Sequence, residues 1–178
     1  MKIQIIYFLM LVPLVAKEIY FTRSGKVSFF SSTPIEDIKA YNDQVTCVMD
    51  LETGEVSFQI PILGFNFKNG LMQEHFNENY MESDIYPNAS FKGKINDWGS
   101  IDLNEISQSV RLDGTMTIHG VSKKISEKGM ISLINDNVHG SSKFQIMVAD
   151  YDIEIPKLLR ENIAKVIDVD TELVLKKK

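Results

Sequence analysis

The chain has 178 residues, a net charge of −5 and a pI of about 5.2. That length predicts one domain, with room for a sizeable core or for a barrel around a cavity. The acidic balance, with no basic cluster beyond the terminal Lys176-Lys177-Lys178, excludes the phosphate-neutralising stripe that nucleic acid requires, and the single Cys47 excludes an intramolecular disulfide and a multi-cysteine zinc site.

The first segment, MKIQIIYFLMLVPLVA, has the layout of a signal peptide. Lys2 is a short basic start, Ile3 to Leu14 is nearly all apolar, and Ala16 offers a small residue for cleavage. The apolar run is shorter than the roughly 20 residues that span a bilayer. The expected organisation is therefore a signal peptide over 1–16 and one domain over 17–178. No integral membrane span would remain after cleavage, and the mature protein would be periplasmic or secreted.

From Gly25 onward the chain reads as strands. In GKVSFFSS the adjacent Phe29 and Phe30 leave the inward face open. PIEDIKAYN follows Thr33, an N-cap type, with Pro34 at the first helical position, and is expected as a short helix. DQVTCVMDL sets Val45, Cys47 and Met49 on one face, and EVSFQIPI sets Val56, Phe58, Ile60 and Ile62 on one face; the ETG between them marks a hairpin. GLMQEHFNENYMES has helical texture. ASFKGKI puts Phe91 and Ile95 on one side, and VRLDGTMTIHG does the same with Val110, Leu112, Met116 and Ile118. VSKKISEKGMISLI is a looser strand with a bulge expected at Gly129. VHGSSKFQIMV points Phe144, Ile146 and Val148 inward, PKLLRENIA is expected as a helix, and VIDVDTELVL points Ile167, Val169, Leu173 and Leu175 inward. About eight strands with a few short helices predict an all-β, antiparallel β-barrel.

On a helical wheel, Leu71, Met72, His75, Phe76 and Tyr80 share one half of GLMQEHFNENYMES, while Gln73, Glu74, Asn77 and Glu78 occupy the other. The segment is expected to cover the barrel with its apolar face. A helical zinc pair needs a second ligand one turn on, and the residue four after His75 is Asn79. His75 is therefore read as a packed histidine, with contact to a ligand's polar end as the alternative. His119 and His139 are read as outward strand positions. No nucleophile elbow, phosphate-cradling loop or dinucleotide fingerprint is present, so no catalytic residue and no metal ligand is assigned.

Several landmarks occur together: GKVSFFSSTP, TGEVSFQIPI, FKNGLMQEHFNENYMESDIYPNASFKGKI, LDGTMTIHGVSKKI and DYDIEIP. In their order and spacing they resemble the YceI-like family of exported bacterial proteins over nearly the whole mature region. The resemblance implies a lipocalin-like barrel with an elongated apolar cavity, and in some members a bound polyisoprenoid such as a quinone or a prenyl phosphate. It implies no cofactor beyond such a lipid. On this reading the ligand-binding residues are Phe29, Met49, Phe58, Ile60, Leu71, Met72, His75, Phe76, Tyr80, Phe91, Leu112, Met116, Ile118, Phe144 and Ile146. Their bulk raises an alternative, a filled barrel that acts as a protein-interaction module. An enzyme is the least favoured reading, and a homodimer is left open.

Overall fold

The computed structural model of the protein describes residues 17–178, so the expected signal peptide lies outside the described residues. Eight long strands form the barrel. They are β1 (Ile19–Ser32), β2 (Asp37–Asp50), β3 (Glu55–Pro61), β5 (Asn88–Ile95), β6 (Gln108–Ile118), β7 (Val121–Ile134), β8 (Asn137–Met147) and β9 (Val166–Lys177). A two-residue strand, β4 (Asn66–Phe67), adds to the start of β2. The strands pair antiparallel in the order β1-β9-β8-β7-β6-β5-β3-β2, and β1 also pairs with β2, which closes the sheet on itself. Closure pairs β1 with β2 and so removes the two outer edges that an open sheet of this order would have.

Alternation decides which side chains enter the barrel, but the interior is not uniform. Toward the end that carries the turn 51–54 and the connection 96–107, Val45, Cys47, Met49, Val56, Ile95, Val110, Val138 and Leu175 are buried against one another. This half is a solid core. Trp98 packs against it and donates through Nε1 to the Leu51 carbonyl oxygen at 2.6 Å. Burial pushes the Cys47 thiol up to about 12, which keeps it an inert packing group. Toward the opposite end the inward residues Phe58, Ile60, Met116, Phe144 and Ile146 are only half-buried, because they face a cavity. Two inward glycines, Gly93 and Gly114, oppose each other in the register of β5 and β6. A Cβ at either would lie within 2.6 Å of the Phe91 ring, so Phe91 lies across the pair and covers the backbone.

Three expectations are corrected. PIEDIKAYN is a hairpin turn that runs into β2, not a helix. The Thr33 hydroxyl does accept from the Glu36 N–H at 3.0 Å, as an N-cap would, but the chain then extends. The alternation of Ile38, Ala40 and Asn42 wins because β1 offers an unbroken ladder from Ser32↔Asp37 to Val27↔Asn42. PKLLRENIA keeps one 3-10 turn, Lys157–Leu159. The chain is then tied down where the Ala164 N–H donates to Ser31 Oγ at 2.9 Å, and it enters β9 at Val166. The register at Gly129 runs without a bulge against both neighbours. Gly129 is small for a different reason: a Cβ there would sit 3.0 Å from the Ser141 carbonyl oxygen. The bulges lie in β1, where the register shifts between Thr22 and Val27. On the same strand Val27 and Ser31 are buried and half-buried Phe29 lines the cavity, whereas Phe30 is exposed, which settles the face left open by the adjacent phenylalanines.

Gly25 sits in that bulge, with the Leu173 Cδ2 atom only 2.5 Å from where a Cβ would be. We expect Gly25→Val to lower the urea denaturation midpoint, with a loss of about 1–3 kcal/mol from overpacking, and Trp98 fluorescence to report the transition.

Candidate functional site

The barrel's half-open end carries the turn 33–36, the connection 62–87, the turn 119–120 and the connection 148–165. They surround a cavity of about 370 Å³, within the size range of small-ligand sites. Its wall is made by inward positions of the strands and by the covering segments. The contributions of Ile62, Phe65, Met81, Ile153, Ile155, Leu159 and Ile163 show how much of the wall is not strand.

The 62–87 connection begins with a 3-10 turn, Ile62–Gly64, and β4, and then forms a helix, α1 (Gly70–His75), continued by a π-turn over Phe76–Tyr80. Asn69 caps it, its side chain accepting from the Leu71 N–H at 2.9 Å. Phe76 is the anchor. Its ring stacks on Phe29 at 5.4 Å between centroids and meets Phe65 at 5.4 Å and Phe67 at 5.0 Å. Phe29 also contacts Phe65 at 5.4 Å and Phe67 at 5.7 Å. Each such pair is worth about 0.5–1.5 kcal/mol beyond the area it buries. Four rings, from β1, from Phe65 just after the turn at Ile62–Gly64, from β4 and from the π-turn, thus pin the cover to the barrel.

A second fastening is His119. It occupies a two-residue turn between β6 and β7, with positive φ at both His119 and Gly120, as hairpin turns of this length require. Its Nδ1–H donates to the Tyr151 carbonyl oxygen at 3.2 Å, and its Nε2 pairs with the Glu82 carboxylate at 2.8 Å. Tyr86 meets the ring edge-on at 4.6 Å. One side chain therefore ties the β6–β7 turn to both long connections. Reading it as an outward strand position is corrected: the chain turns at this residue, and only a tenth of its side chain is exposed. The signal was the His-Gly dipeptide between two alternating runs.

All the residues expected at the ligand line the cavity except Met49 and Leu71. Met49 points inward but lies in the solid half, 3% exposed. Leu71 is 59% exposed, because the buried arc of so short a helix centres on Met72 and Phe76 and Leu71 falls outside it. His75 lines the cavity half-buried. Sequence reasoning missed Phe65, Phe67, Ile125, Glu127 and Ser142. Phe65 and Phe67 stand outside any periodic run, and Glu127 sits at an inward position that alternation reserves for apolar residues.

The turns and connections at this end carry apolar side chains that face solvent, among them Ile35, Leu63, Ile85 and Leu158. Among the described residues no helix is long and apolar enough to cross a membrane, and no three His, Cys, Asp or Glu side chains converge as a metal site.

The profile of the YceI-like domain matches residues 19–175. Among solved structures, a polyisoprenoid binding domain from Saccharophagus degradans, implicated in plant cell wall breakdown, superposes with a TM-score of 0.78 at 16% identity, covering 92% of this chain and 100% of that one. BcnA of Burkholderia cenocepacia gives 0.71 at 14% identity over 84% and 95% of the two chains, and the YCEI protein of Campylobacter jejuni gives 0.55 at 15% over 99% and 93%. At these identities the likeness is one of fold. No curated protein matches the chain.

Replacing Phe76 by Ala is expected to cost about 3 kcal/mol in chemical denaturation and to speed amide exchange across residues 70–83 ahead of the barrel strands.

Proposed function

From the premise that the chain belongs to the YceI-like family, we propose that it is an exported carrier that sequesters a long apolar ligand of the isoprenoid type inside its barrel. The observation that carries this reading is the cavity itself: about 370 Å³ of open space walled mostly by Phe, Ile, Leu, Val and Met. A polyprenyl chain is nearly insoluble, and burying it gains roughly 25 cal/mol per Å² of apolar surface without directional bonds. Met72, Met81 and Met116 give the wall side chains that adjust to the shape of a chain. The Saccharophagus degradans neighbour, described as polyisoprenoid binding, supports the ligand class.

The function is binding rather than turnover, because the cavity offers hydrocarbon contact and few polar groups. The exposed apolar rim suits uptake of ligand from an apolar source. The signal-peptide layout of residues 1–16 supports export of the mature protein to the periplasm or out of the cell. A solid interior would favour an interaction module instead, and only the half of the barrel away from the mouth is solid.

Native mass spectrometry of gently purified mature protein, followed by organic extraction, is expected to show a co-purifying adduct that extracts as an isoprenoid lipid. A bare apoprotein mass that persists after incubation with such lipids would refute the carrier reading.

A further inference from the structure

The cavity has a floor, and the floor holds a carboxyl group. Glu127 lies on β7 at an inward position, paired in register with Leu112 of β6, and both line the cavity together with Ser142 and Thr171. Below this level the barrel is solid. Among the other polar groups of the wall, Glu36, Asn162, Ser31, Ser142 and Thr171 are bonded within the protein, while His75 and Tyr80 belong to the cover and Ser90 to β5. Glu36 accepts from Asn162 Nδ2 at 3.2 Å, Ser31 accepts from the Ala164 N–H, Ser142 Oγ donates to the Lys128 carbonyl oxygen at 2.6 Å, and Thr171 Oγ1 donates to the Ser142 carbonyl oxygen at 3.3 Å. Glu127 has no hydrogen-bond or ion-pair partner among the described residues. The cavity wall contains no Lys or Arg.

The wall beside Glu127 is also incomplete. The β7–β8 ladder runs from Ile134↔Asn137 to Gly129↔Ser142 and stops there, while β7 continues against β6 to Ile118↔Val121 and β8 continues against β9 to Met147↔Val166. Glu127 stands just past the last rung, at the head of an unladdered seam. Lys123 of β7 spans toward the far end of that seam and pairs with Asp150 at 2.9 Å. Burial pushes the Glu127 carboxyl above its ordinary value, and the Arg111 guanidinium offsets part of that rise.

A ligand that filled the cavity tail first would press hydrocarbon onto this carboxyl and strip it of water without supplying a partner, which is costly. A phosphate head on the floor would meet a carboxyl and no cavity-lining cation, because Arg111, the cation that acts on Glu127, is exposed and donates to Ser126 Oγ instead. Resting on the carrier reading above, we propose that the ligand enters head first and docks on Glu127 a neutral or cationic head that hydrogen-bonds, so that the site selects alcohol- or amine-type heads against phosphorylated ones. Ser142 and Thr171 frame the head, the apolar shaft holds the chain, and the seam gives the head contact with water.

The test compares three probes with one tail, farnesol, farnesylamine and farnesyl phosphate, by isothermal titration calorimetry on the mature protein and on its Glu127→Gln variant. In the native protein the alcohol and amine should bind about tenfold or more tightly than the phosphate, and Glu127→Gln should close most of that gap by improving phosphate binding. Equal affinities for the three heads in the native protein, which needs no variant to read, would overturn the Glu127 anchor and leave the carrier standing. A gap that Glu127→Gln leaves unchanged would do the same. Binding of none of the probes would refute the carrier reading and the anchor with it.

Discussion

Everything in this protein depends on β1 pairing on both sides. The strand runs 14 residues and lies against β2 along one flank and β9 along the other. Its register shifts in the stretch from Phe21 to Val27, where Gly25 lets Leu173 and Val45 approach closely. That bend is what turns a twisted sheet of eight strands back on itself. Without it β1 and β2 would be open edges, and the apolar face that now looks inward would look into water. The cavity exists because the sheet closes at a diameter that eight strands set.

Closure alone would give a tube with two similar ends, and the asymmetry comes from the connections. At one end they are short, and Trp98 with its neighbours packs the interior solid. At the other, two long connections fold over the opening and are held by a phenylalanine cluster and by one histidine. The two fastenings differ in kind. The ring cluster is apolar and anchors the helix to β1, whereas His119 uses directional bonds that fix the spacing between the turn and the connections. Both leave the shaft between them free of filling side chains, and Gly93 and Gly114 make room on the wall for the Phe91 ring that lies across them.

The strand-built part of the wall was largely legible in the sequence. Period-two alternation named the inward faces of β2, β3, β5, β6, β8 and β9, because a strand sends successive side chains to opposite faces whatever its partners. The two failed helices have a common cause. PIEDIKAYN and PKLLRENIA carry helix-start chemistry, and the same hydroxyl and proline geometry also makes a turn. Which outcome follows depends on whether a neighbouring strand takes up the next residues, and that is tertiary information. Leu71 was misplaced because a wheel assigns half of a helix to the inside, whereas a cover resting on four rings buries a narrower arc. Glu127 was invisible because an acidic residue in a loosely alternating strand reads as surface.

The sequence by itself determined the class, the strand order of apolar faces, and the family, all of which rest on local periodicity and on motifs in fixed succession. Only the tertiary structure decided that the barrel is solid in one half and hollow in the other. Inward side chains such as Val45, Met49, Phe58 and Phe144 look alike in a local pattern. Whether they meet across the interior depends on the register that closes the sheet, on the plug at one end and on the cover at the other, and these bring together residues far apart in the chain. The same holds for the carboxyl of Glu127, which became part of a binding cavity when the ladder between β7 and β8 stopped beside it.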